Sequence, residues 1–167
     1  FLAQLGIQMT NFVEQFHRLG YNHNDFHPGN LVCHNGEDMR TIVPIDLGDM
    51  NPLYPELPHH PSIERRRVVP LELRLRDIRQ ITASVRFLFE GKYAFYAEKR
   101  TTTENMIEGS VGNADIPLAF GQLVTYVWSI EDESEIDFDE MRRLFTQMTV
   151  SENPVSLFQM FTRFLRG

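Results

Sequence analysis

The chain has 167 residues, 42% of them apolar, and a formal net charge of −7. That length supports one domain with its own core, and the acidic balance speaks against nonspecific nucleic-acid binding. Cys33 is the single cysteine, which excludes an internal disulfide and fits a reducing, cytoplasmic (intracellular) setting. No stretch reads as a signal peptide or a membrane span, and a start at Phe1 rather than Met reads as a piece of a longer chain.

Taken in order, residues 2–18 set Leu2, Leu5, Met9, Phe12, Val13 and Phe16 at helical spacing, and Gly20 supplies a stop. The helix expected over 1–19 feeds straight into HNDFHPGNLV at 23–32. Leu31–Cys33 and Thr41–Ile45 read as strands joined by an Asn35-Gly36 turn. Pro44 cannot donate to a ladder, which predicts an edge or outward-facing position. Cys33 reads as a small buried residue in its strand. Such a hairpin brings Asn30, before the first strand, close to Asp46, after the second, and Gly48 lets the chain turn away.

Residues 49–71 carry Pro52, Pro55, Pro58, Pro61 and Pro70 and read as an extended loop. Its hydroxyls are Tyr54 and Ser62. Its Arg65-Arg66-Arg67 run reads as solvated and paired with Glu64 or Glu72, or as a receiver of a phosphate. Residues 71–90 form the next helix, with Leu73, Leu75, Ile78, Ile81 and Val85 inward. A short helix over 93–99, a polar loop over 100–115 and a helix over 116–130 buried on most sides come next. In that last helix Trp128 reads as core. An acidic stretch at 131–140 leads into a helix over 139–148, and Asn153-Pro154 starts a final one. The fold class expected is mainly α with a small β-hairpin, and residues 72–167 form a helical subdomain. His17, His23, His27, His34 and His59-His60 are not in zinc-ligand spacing.

The chemistry concentrates at 23–48. Transfer of a γ-phosphoryl group is mostly positioning and charge neutralisation. One carboxylate orients the attacking hydroxyl and takes its proton, a role Asp25 fits. A carboxamide and a carboxylate oxygen hold Mg²⁺, a hard cation that keeps some of its waters; Asn30 and Asp46 fit that role.

Residues 23–30 read H-N-D-F-H-P-G-N and residues 46–48 read D-L-G. Together they resemble the catalytic loop and metal-binding loop of the protein-kinase-like superfamily. The H-P-G-N ending is most similar to the branch of aminoglycoside and choline phosphotransferases and ABC1 atypical kinases, and His27 is shared with haspin-type kinases. By that resemblance the fold is a kinase-like C-lobe, with the N-lobe outside this chain. Asp25 is the catalytic base, and Asn30 and Asp46 hold Mg²⁺ and ATP. His23 and Gly48 are structural supports. His27 stands where many kinases place a lysine that contacts the γ-phosphate. Asn24 replaces the usual arginine, which removes pairing with a phosphorylated activation loop. Asp77 either accepts hydrogen bonds from the catalytic-loop backbone or is an exposed helix Asp paired with nearby arginines.

The resemblance implies ATP and Mg²⁺ as cofactors and a hydroxyl acceptor. The loop before Asp77 leans toward a protein acceptor, H-P-G-N toward a small molecule. No Gly-rich loop or strand lysine is present, since Lys92 and Lys99 follow the site; this piece alone is therefore expected to be inactive. Two other readings stand beside the enzyme: a pseudokinase that serves as an interaction module, and a helical scaffold with a chance motif. The last expects Asp25, Asn30 and Asp46 to lie apart.

Overall fold

The computed structural model of the chain describes residues 2–34, 41–49, 51–52, 71–90, 107 and 116–151. The fold is mainly helical, with small antiparallel strand pairs. Outside the described residues lie the Asn35-Gly36 turn, the segment 53–70 with its arginine run, residues 93–99 and the helix expected after Asn153-Pro154; the Cys33 side chain is likewise not described.

Helix α1 spans Leu2–Leu19. Leu2, Leu5, Met9 and Val13 of the expected stripe are buried, and Ala3, Gly6, Thr10 and His17 widen it. The widening has a cause: α1 packs against more than one helix. Gly6 lets the Phe145 ring lie where a β-carbon would stand. Gly20 closes the helix at φ 81, its N–H donating to the His17 carbonyl.

Strand β1 (Tyr21–Asn22) follows, then the single turn of 3₁₀ helix Pro28–Asn30, strand β2 (Leu31–His34) and strand β3 (Thr41–Pro44). Strands β2 and β3 pair with Leu31 opposite Pro44 and Val32 opposite Val43. Pro44 has a buried side chain, so it does not face outward. Its tolerance has a backbone reason. The Ile42 N–H leaves the ladder and donates to Gln8 Oε1 on α1 at 2.8 Å. Alternate residues share a side, so the nitrogen of Pro44 also faces away from β2, where no ladder bond is lost.

Within the stretch expected as loop, Asp49 ends the 3₁₀ turn Leu47–Asp49 and Asn51–Pro52 form strand β4, which pairs with β1. A two-residue bridge is too short to leave a periodic signal. Ile107, inside the stretch expected as loop, is helical.

Helix α2 spans Leu71–Glu90, α3 Leu118–Ser129 and α4 Phe138–Ser151. Leu75, Ile78, Ile81 and Val85 of α2 are buried, while Leu73 is half-buried. Ile78, Ile81 and Val85 join Phe120, Leu123 and Val127 of α3 and Met141, Phe145 and Met148 of α4 in one core with α1. Trp128 is half-buried, donating from Nε1 to Thr82 Oγ1 at 3.0 Å beneath the Arg79 guanidinium. Asp137 caps α4, its Oδ1 accepting from the N–H groups of Asp139 and Glu140. Among the described residues no helix is long and apolar enough to cross a membrane.

Candidate active site

Residues 23–26 lie against one face of α2. A loop in that position has backbone N–H and C=O groups taken from water, and each needs a partner. Helix α2 supplies them from side chains at i, i+3 and i+7, which share one face. Asp77 is fully buried, and its partners are not arginines. Its Oδ2 accepts from the His23 N–H and its Oδ1 from the Asn24 N–H, each at 2.8 Å. Gln80 accepts from the Phe26 N–H at 2.9 Å and donates to the Asn24 carbonyl at 2.8 Å. Ser84 Oγ donates to the Phe26 carbonyl at 3.2 Å. Phe26 itself is buried in the core.

His17, near the end of α1, places Nε2 3.1 Å from Asp77 Oδ2. A carboxylate only accepts, so Nε2 carries the proton and donates. Burial lowers the His17 pKa, outweighing the pull of the Asp77 hydrogen bond and charge; Arg74 adds a smaller push downward. The ring is thus neutral. His23 is buried between the rings of Phe16 and Phe26, edge-on to both. Its place is that of a packed support under the loop.

Asp25 and Asn30 meet directly. Asn30 Nδ2 donates to the Asp25 carbonyl at 3.0 Å and to Asp25 Oδ2 at 3.1 Å. Both partners are acceptors, which fixes the amide orientation and turns Asn30 Oδ1 away from them. His27 caps the 3₁₀ turn: its Nδ1 accepts from the Gly29 N–H at 3.1 Å. The proton therefore sits on Nε2, which lies 3.3 Å from Asp25 Oδ2. Gly29 is needed for this approach, because a β-carbon there would stand 2.8 Å from the imidazole Cε1. Oδ2 thus accepts from Asn30 and has the His27 imidazole beside it, while Oδ1 has no hydrogen bond among the described residues. The Asp25 side chain is 42% exposed, enough for a substrate to reach it.

The hairpin brings in Asp46. The Ile45 N–H donates to the Asn30 carbonyl at 2.8 Å, which sets Asp46 one residue beyond that link. Asp46 adopts φ 59, a left-handed conformation that Asp tolerates better than most residues. The sharp turn expected of Gly48 is therefore made by Asp46. Gly48 has no positive φ; it sits in the 3₁₀ turn under the carboxylate, a β-carbon position 3.4 Å from Asp46 Oδ1. Among the described residues Asn24 is the other non-glycine residue at positive φ, 67. Arg76 Nη1 on α2 reaches its Oδ1 at 3.5 Å, so the cation at this loop comes from α2.

Among the described residues no group of three or more His, Cys, Asp or Glu side chains could hold a metal ion. Mg²⁺ makes a smaller demand: one or two protein oxygens, with waters and phosphate oxygens filling the octahedron. Asn30 and Asp46 carry oxygens of that kind, a carboxamide and a carboxylate.

No family model matches the chain, and neither a curated protein nor a solved structure does. Sequence reasoning missed Gln80, Ser84 and His17. One signal could have found the first two: Asp77, Gln80 and Ser84 put polar groups at one helical face between buried Ile78, Ile81 and Val85.

Proposed function

We propose that the chain is the C-lobe of a protein-kinase-like phosphotransferase that moves the γ-phosphoryl group of ATP to a hydroxyl. The observation that carries this reading is the meeting of residues far apart in sequence. Asp77 holds the loop, the loop presents Asp25, Asn30 bonds Asp25, and the hairpin ties Asn30 to Asp46. A chance motif gives no reason for the four to assemble.

The roles follow from the atoms. Asn30 occupies Asp25 Oδ2, so Oδ1 takes the proton of the acceptor hydroxyl. His27 caps the turn through Nδ1 and sets Nε2 beside the carboxylate, so here it steadies Asp25. Asn30 Oδ1 and Asp46 would hold Mg²⁺, which supplies charge neutralisation of the phosphates when bound. Val32, Val43 and Ile45 leave an apolar face beside this site, each more than 40% exposed, on which a purine ring can lie. The acceptor is a protein in our reading, with a small-molecule hydroxyl as the competing class.

The test is Asp25→Ala in the full natural protein. Transfer from Mg-ATP should fall by at least ~10²-fold, the scale of losing a general base. An unchanged rate would remove the role given to Asp25.

A further inference from the structure

The side-chain amide of Gln80 meets the backbone on both sides of Asp25. Its Nε2 donates to the Asn24 carbonyl, and its Oε1 accepts from the Phe26 N–H. The Asn24 carbonyl belongs to the peptide plane before the Asp25 α-carbon, and the Phe26 N–H to the plane after it. Peptide units are planar, so only φ and ψ of Asp25 lie between the two bonds.

We propose that Gln80 is a positioning residue that fixes both backbone dihedrals of Asp25, and with them the direction of its carboxylate. The inference rests on the phosphotransfer reading of Asp25. The task needs one donor and one acceptor on a single rigid group. A carboxylate lacks the donor, an ammonium lacks the acceptor, and a primary amide has both in one plane. Neighbouring bonds leave this task open. Asp77 holds the N–H groups of His23 and Asn24, ahead of the base, and Ser84 holds the Phe26 carbonyl, behind it. Asn30 grips Asp25 at its carbonyl and carboxylate. Gln80 alone among these spans the α-carbon from plane to plane. Misplacing a reacting group by about 1 Å can cost on the order of 10²-fold in rate, so a half-buried helix amide has leverage on the chemistry without touching it.

The experiment uses the full natural protein and two variants. Gln80→Met removes both bonds at similar length. Gln80→Glu is isosteric and keeps an acceptor for Phe26, but sets a second oxygen against the Asn24 carbonyl. The first readout needs no substrate: amide hydrogen exchange at Phe26, with His23 and Asn24 as internal references. Gln80→Met should speed exchange at Phe26 by about tenfold or more and leave the references within about twofold. The second readout is transfer from Mg-ATP. Both variants should lose kcat by about tenfold with little change in KM for ATP. In an Asp25→Ala background the same substitutions should cost nothing further, because the residue acts through Asp25. Equal acceleration of all three amides, a wild-type kcat in either folded variant, or an undiminished loss in the Asp25→Ala background overturns the proposal. If Gln80→Met fails to fold, Gln80→Glu carries the kinetic arms. Should Asp25→Ala itself leave the rate unchanged, the phosphotransfer reading fails, and Phe26 exchange still decides whether the clamp exists.

Discussion

The loop that presents Asp25 and the turn that presents Asp46 lie side by side but are held in different ways. Between His23 and Phe26, three N–H and two carbonyl groups bond to side chains of α2. The turn at Asp46 is joined to that loop by one backbone bond, from Ile45 to Asn30, and Ile45, Asp46, Leu47 and Gly48 are all exposed. A packed helix can lend a loop the ladder it lacks, and such a loop is both buried and fixed. A turn without that help relies on its own backbone, here on Asp46 at φ 59. The rigid part carries the proposed base, whose direction decides the chemistry. The open part carries a proposed metal ligand, whose partners include waters and phosphates and tolerate adjustment.

The contrast can be broken at its strongest point first. Asp77→Ala strips partners from two buried N–H groups and from His17 Nε2. Each donor left without an acceptor costs about 1–3 kcal/mol, and the three together would show in urea unfolding as a large drop in midpoint. A loss below about 1 kcal/mol would mean that the loop is held by something else. On the hairpin side, Gln8→Met leaves the buried Ile42 N–H without its acceptor and should cost about 1–3 kcal/mol. A loss in that range would show that β3 is tied to α1 by this bond; no loss would make the hairpin self-supporting.

His17 gives a pH handle on the same hub. Its pKa is lowered in the folded state, against about 6.5 in an unfolded chain. As pH falls through the unfolded value, the unfolded state takes up a proton that the folded state resists. The stability due to neutral His17 is therefore complete above that value and is lost on the acid side. His17→Gln should flatten the fall of stability between pH 7 and 5; an unaltered slope would place the effect elsewhere. At the exposed end, Asp46→Asn keeps a residue that accepts a left-handed φ. Its melting behaviour should stay within about 0.5 kcal/mol of the parent, and a larger loss would show that the turn is more firmly bound than its exposure implies.

Much of this arrangement is legible in the sequence, for reasons that also set its limits. Helices α1 and α2 announce themselves by apolar residues every three or four positions. The hairpin is readable because Leu31–Cys33 and Thr41–Ile45 flank a turn dipeptide. Asp25, Asn30 and Asp46 stand out because their spacing is unusual. Gln80 and Ser84 share a helical face with Asp77, which marks the face as polar but not what it meets, since each finds its partner more than fifty residues away. A glutamine on a helix reads as solvated until the loop is laid against it. Pro44 lies on an edge strand, one of its two expected positions, yet its side chain is buried: which side of a strand needs donors depends on the neighbour, and α1 packs where solvent was the other option.

The central claim is that the Asp25, Asn30 and Asp46 assembly transfers phosphoryl groups. Its most direct test is Mg²⁺-dependent transfer of the γ-phosphoryl group from labelled ATP by the full natural protein, beside its Asp46→Asn variant. The account predicts transfer by the parent that falls by ~10²-fold or more in the variant, the scale of losing one charge-stabilising group, with folding unchanged. No transfer by a well-folded parent to protein or small-molecule acceptors, or equal transfer by the two chains, would contradict it.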